Sequence, residues 1–154
     1  MGVESMNYGY VPLVASQDLL EQSLRELATR EFPESGGLKQ YVVSGDRYWI
    51  DVEFSPATSE GSRSYASVRV ALTNPPDVED AARTLFGSLL NTCGGRVVAL
   101  SPREKFTTVE EPDWRRLWVR FTDKQKKFRD MYGTFELAAS GADVFDYMRE
   151  NNII

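Results

Sequence analysis

The stretch Arg47-Tyr48-Trp49-Ile50-Asp51-Val52-Glu53-Phe54-Ser55 alternates apolar and polar side chains. Tyr48, Ile50, Val52 and Phe54 fall on one side, with Trp49, Asp51 and Glu53 on the other. A period of two marks a strand buried on one face only, because successive side chains leave an extended backbone in opposite directions. Just before it, Leu38 to Ser44 is rich in β-branched and aromatic residues, and Gly45-Asp46 is a two-residue turn signal. Together they read as an antiparallel hairpin with one face for a core and one for solvent. A sheet of that kind needs a second layer, and helical segments on both sides of the hairpin can supply it.

Upstream, Ser16 to Glu31 carries Leu20, Leu24 and Leu27 at helical spacing, with Leu19 beside them. Ser16 suits the capping position, and Asp18 sits where the helix dipole favours an acid. Phe32-Pro33 is expected to end that helix, and Gly36-Gly37 allows a turn. Tyr8 and Tyr10, flanking Gly9, fit either an ordered first strand or a flexible arm.

Downstream, the polar stretch from Pro56 to Arg63 reads as a loop, and Ser64 to Thr73 as a third strand with Ala66, Val68, Val70 and Leu72 inward. Pro75-Pro76-Asp77 opens a helix whose apolar face includes Val78, Ala82, Leu85, Phe86 and Leu89, and which Gly94 closes. Arg96 to Leu100 is a short buried strand, so strand, helix and strand suggest a crossover that lays the helix on the sheet. Phe106 to Val109 reads as a further strand or an ordered edge. From Asp113 to Tyr132, Trp114, Leu117, Trp118, Phe121, Gln125, Phe128 and Tyr132 keep helical spacing. This long match outweighs the strand-like run Leu117 to Phe121. Gly133 ends the helix, Thr134 to Ala139 reads as a last strand, and Ala142 to Glu150 as a short helix. No repeat or linker interrupts the chain. The expectation is one α+β domain over residues 1–154, two-layered, with a mainly antiparallel sheet of five to six strands and three to four helices.

The 154 residues contain no histidine and one cysteine, Cys93. Ser-His-Asp and Cys-His nucleophile systems, His-ligated zinc and thiolate zinc sites are thereby excluded. What remains for an enzyme is carboxylate, Lys, Tyr or backbone chemistry. No motif asks for a cofactor or a metal. The N-terminal residues do not resemble a secretory signal, and the longest apolar run, Val97 to Leu100, is far short of a membrane span. A cytoplasmic setting without a membrane partner is the expectation.

Two surfaces stand out. Trp49, Asp51 and Glu53 share the polar side of their strand, and Tyr41 on the neighbouring strand is expected to join them. Paired carboxylates at this spacing can hold a divalent cation or divide acid and base roles. No third ligand is evident, so a solvated strand face explains the acids more simply. An aromatic beside acids also suits a recognition surface, unless a helix covers it. The second surface is the segment from Asp113 to Asp130, where Arg115, Arg116, Arg120, Lys124, Lys126, Lys127 and Arg129 outnumber three acids. Its aromatics form one stripe and its basic residues the other, as a solvated helix requires. With a net charge of −5 the chain is a poor candidate for nucleic acid. The sequence therefore points to a non-enzymatic intracellular module that binds another protein, of the acidic inhibitor or immunity kind, and leaves self-association open. The rival is a small-molecule-binding domain or carboxylate-based enzyme with a pocket between sheet and helices, using Tyr41, Trp49, Asp51 and Glu53.

Overall fold

The computed structural model describes residues 5–59, 61–100 and 102–133. It is an α+β fold with one antiparallel sheet. The strands are β1 (Ser5–Val11), β2 (Arg30–Ser35), β3 (Leu38–Ser44), β4 (Trp49–Ser55), β5 (Tyr65–Ala71), β6 (Arg96–Ala99) and β7 (Glu104–Phe106). Their order is β2-β3-β4-β5-β1-β6-β7, every neighbouring pair antiparallel. A 3-10 turn (Val14–Leu19) leads into α1 (Leu20–Leu27), and α2 (Val78–Cys93) and α3 (Asp113–Tyr132) complete the helices.

The register places Tyr41, Val52, Val68, Tyr8 and Ala99 in one row across five strands, and all five are buried. This is the inner face, and every described helix packs on it. Glu21 of α1 reaches Lys39 and Tyr41. The Phe86 ring of α2 meets Tyr8 edge-on at 5.5 Å. Trp118 of α3 stacks on Tyr8 at 6.5 Å and continues a ladder through Trp114 and Phe121. Each large side chain fully buried in this layer contributes about 1.5–3 kcal/mol over exposure. On the opposite side of the sheet no described helix lies.

Several sequence expectations change, among them the strand expected over Phe106 to Val109, which is instead Glu104–Phe106. The helix foreseen to Glu31 ends at Leu27: Ala28 is extended, and Thr29 donates its amide to the Val42 carbonyl at 2.7 Å, starting the pairing of β2 with β3. Phe32-Pro33 therefore lies within the edge strand β2 instead of terminating a helix. Pro33 donates no ladder bond, and the register shifts between Phe32 and Ser35, which suits an edge position. The β3–β4 connection is longer than the two residues expected. Ser44 pairs with Trp49, and Gly45 donates to the Tyr48 carbonyl at 3.1 Å across a four-residue turn. Tyr8 and Tyr10 belong to a central strand and not to an arm.

The sheet has seven described strands against five to six expected, because β1 and β2 join it. The strand expected over 134–139 and the helix over 142–150 lie outside the described residues. The helix over Asp113–Tyr132 stands as read. β5 and β6 both flank β1, so α2 makes the crossover between them. Tyr10 closes that crossover: its hydroxyl reaches the Leu89 carbonyl at 3.0 Å and the Gly94 carbonyl. Beside it the backbone runs so close that a Cβ on Gly95 would stand 1.9 Å from the Val11 oxygen.

Candidate functional site

The outer face of the sheet is built around Trp49. Its backbone is fixed by Asn74, fully buried in the loop after β5. Asn74 Oδ1 accepts the Trp49 amide at 2.8 Å, and Nδ2 donates to the Trp49 carbonyl at 3.0 Å and the Ala71 carbonyl at 2.9 Å. The Asn74 carbonyl in turn accepts Gln125 Nε2 of α3 at 2.7 Å. The indole is partly exposed and is held in its own right. Its Nε1–H donates to Asp51 Oδ1 at 2.8 Å, and the Arg30 guanidinium sits 5.3 Å from the ring centroid.

Asp51 is the hub of this arrangement. Besides Trp49 it accepts Gln40 Nε2 at 3.3 Å and Arg69 Nη1 at 3.3 Å. Arg69 also donates Nε to Ser5 Oγ at 3.1 Å. One carboxylate thus links β3, β4, β5 and β1 through side chains alone. With its oxygens engaged by three donors, Asp51 is a positioning anion for the indole more than a general base. Glu53, two residues on, is exposed.

Of the residues expected together, Trp49, Asp51 and Glu53 share the outer face, whereas Tyr41 does not. It pairs with Val52, points into the core and is fully buried, with burial raising its pKa. A one-residue parity decides this, since a residue shares a face with its cross-strand partner. The face is also less acidic than the sequence suggested, because Arg69 pairs with Asp51 and Arg30 lies over the Trp49 ring. No described helix covers Trp49.

The basic residues of α3 divide into two groups. Arg116 Nε and Arg120 Nη2 share Glu104 of β7 at 2.7 and 3.2 Å, and Arg115 approaches Glu111 at 3.9 Å. Nearer the C-terminal end, Lys124 donates to the Ser5 carbonyl at 2.8 Å, while Lys126 and Lys127 are exposed. Arg120, Lys124 and Lys127 line a cleft of about 610 Å³. A smaller hollow of about 320 Å³ lies between sheet and helices, lined by Leu27, Val43, Tyr48, Asp77, Asp80 and their neighbours. None of Tyr41, Trp49, Asp51 and Glu53 lines either one.

Among the described residues no group of three or more His, Cys, Asp or Glu side chains is placed to hold a metal ion. No described helix is long and apolar enough to cross a membrane. Cys93 is buried at the end of α2, with its sulfur 3.6 Å from Ser23 Oγ. Sequence reasoning missed Arg30, Arg69 and Asn74. For Arg69 the alternation of β5 held a signal, since it falls between the inward Val68 and Val70. No family model, curated protein or solved structure matches this chain.

Proposed function

We propose that this chain is a non-enzymatic module that binds another protein through the outer face of its sheet, with Trp49 at the centre of the contact. The observation that carries this is the way Trp49 is presented. A partly exposed indole is fixed by an Asn74 clamp on its backbone, a hydrogen bond to Asp51 and an Arg30 cation over its ring. Tryptophan and arginine are the residues most enriched at binding hot spots, and a side chain already held in one conformation loses little entropy on binding. Further along the same face Gln40 and Glu53 are exposed, and Phe32 and Tyr65, level with Glu53 and Ser55, keep 39% and 49% of their surface, so the face mixes polar and aromatic groups. The net charge of −5 suits steering toward a basic partner, as an inhibitor or immunity-type protein inside the cell requires.

The test is affinity purification from the native host, followed by titration of the recovered partner. A stoichiometric protein partner is expected. Trp49→Ala should weaken it by roughly thirtyfold or more, the scale of a hot-spot residue. Glu53→Lys, an exposed change that leaves the Trp49 supports intact, should weaken it without lowering thermal stability. Absence of any stoichiometric protein, or a partner indifferent to both substitutions, would sink the proposal.

A further inference from the structure

A second candidate site lies where β1 begins, two strands along the sheet from β4. The cleft of about 610 Å³ opens between the first residues of β1, the turn joining β6 to β7, and one flank of α3. That volume falls in the range of small-molecule sites. Its wall combines two chemistries. Met6, Leu100 and Pro102 supply apolar surface, and Arg120, Lys124 and Lys127 supply cations. The three basic residues stand at i, i+4 and i+7 on α3, so helix geometry places them along one stripe.

These cations differ in how far they are engaged. Arg120 is held from behind by Glu104, its side chain only 11% exposed. Its Nη1 is buried and has no hydrogen-bond partner among the described residues. Lys124 is tethered to the Ser5 carbonyl at 2.8 Å. Lys127 is exposed, and no described carboxylate pairs with it. One acid, Asp123, shares the lining, so positive groups exceed negative ones by two. The excess of cations in the lining favours an anion in the cleft.

We propose that this cleft binds the phosphate monoester of a small organic molecule. Arg120, Lys124 and Lys127 would hold the phosphate, and Met6, Leu100 and Pro102 the organic body. A phosphate monoester carries about −1.5 to −2 near neutral pH, which matches the excess of cations better than a single carboxylate or sulfate ester does. Ser5 is shared, since its hydroxyl accepts from Arg69 of the Trp49 network, but the cations of the cleft lie on α3 and Trp49 does not line it, so either proposal can fail alone.

Calorimetric titration of the full chain with phenyl phosphate, inorganic phosphate and phenyl sulfate tests it. Phenyl phosphate should bind saturably and more tightly than inorganic phosphate, because it adds apolar contact, and about tenfold more tightly than phenyl sulfate, which carries one charge less. Lys127→Gln should weaken phenyl phosphate several-fold with thermal stability unchanged, and Lys124→Gln combined with it should weaken it further. Vesicles containing phosphatidic acid separate a lipid headgroup from a soluble ligand, and phenyl phosphate should displace any vesicle binding. No saturation up to about 10 mM, an affinity unmoved in the double variant, or vesicle binding that phenyl phosphate does not displace would overturn the proposal.

Discussion

Asn74 has no alternating pattern around it and no motif to announce it, yet its buried amide joins three parts of the fold. It serves both backbone groups of Trp49, the Ala71 carbonyl and, through its own carbonyl, Gln125 of α3. Removing the side chain leaves the Trp49 amide and two carbonyls without their partner, and orphaned buried groups cost more than the net worth of the bonds. Asn74→Ala should therefore lower stability by about 3 kcal/mol, read as a lower urea midpoint with an unchanged slope. A loss under about 1 kcal/mol would mean that the clamp does not hold the start of β4. Tyr8 offers the opposite case. Its hydroxyl is buried without a hydrogen-bond partner among the described residues, so Tyr8→Phe should be neutral or stabilising near pH 7, whereas Tyr10→Phe gives up a bond to the end of α2 and should cost about 1 kcal/mol.

Elements were legible where one period ran long enough to outweigh local ambiguity. Seven apolar or half-apolar positions from Trp114 to Tyr132 were enough to place α3 correctly, although Leu117 to Phe121 alone reads as a strand. The alternation of β4 named the inner face and, with it, the solvent side on which Trp49, Asp51 and Glu53 stand. α1 failed for an instructive reason: its apolar stripe stops at Leu27, and extension to Glu31 rested on Pro33 alone. The residues beyond Leu27 are claimed by β3, and long-range pairing of that kind leaves no mark in a local window. The same limit hid the network at Trp49, whose Arg30 and Arg69 come from β2 and β5. Between elements the decisive link is Glu104 of β7, shared by Arg116 and Arg120 of α3. Arg120 is largely buried and Arg116 is half exposed, so the two halves of the link differ in worth. Glu104→Gln should cost about 2 kcal/mol by leaving the Arg120 charge uncompensated, and Arg116→Gln less than about 1 kcal/mol. Equal losses in denaturant titrations of the two variants would refute that ranking.

At the scale of the whole molecule, one layer of helices on one face of a seven-stranded sheet leaves the described outer face to polar side chains mixed with Trp49, Phe32, Val42 and Tyr65. Charge is separated as well: α3 carries most of the cationic excess, while the chain as a whole is negative by five. With no histidine, no side chain with a resolved shift changes charge near neutrality. On the acid side, Glu21 is pulled below the usual carboxylate range by its hydrogen bond to Lys39, so it stabilises the fold above its unfolded pKa and that help is lost as pH falls. On the alkaline side, burial raises the phenol pKa of Tyr8, Tyr10 and Tyr41. A raised pKa means that the folded chain holds its protons more tightly than the unfolded one. The stability of the neutral tyrosines is then complete below the unfolded value near pH 10 and declines as pH climbs past it. Lys39, raised by its bond to Glu21, works in the same direction. Urea midpoints should hold level, within about 1 kcal/mol, from about pH 6 to pH 8.5, dip modestly below about pH 4.5 and fall steeply above about pH 10. The alkaline fall should be shallower in Tyr8→Phe, which removes one of the three phenols. Stability that climbs by more than about 1.4 kcal/mol between pH 6 and 8, or an alkaline limb that Tyr8→Phe leaves unchanged, would show that other groups govern the pH response.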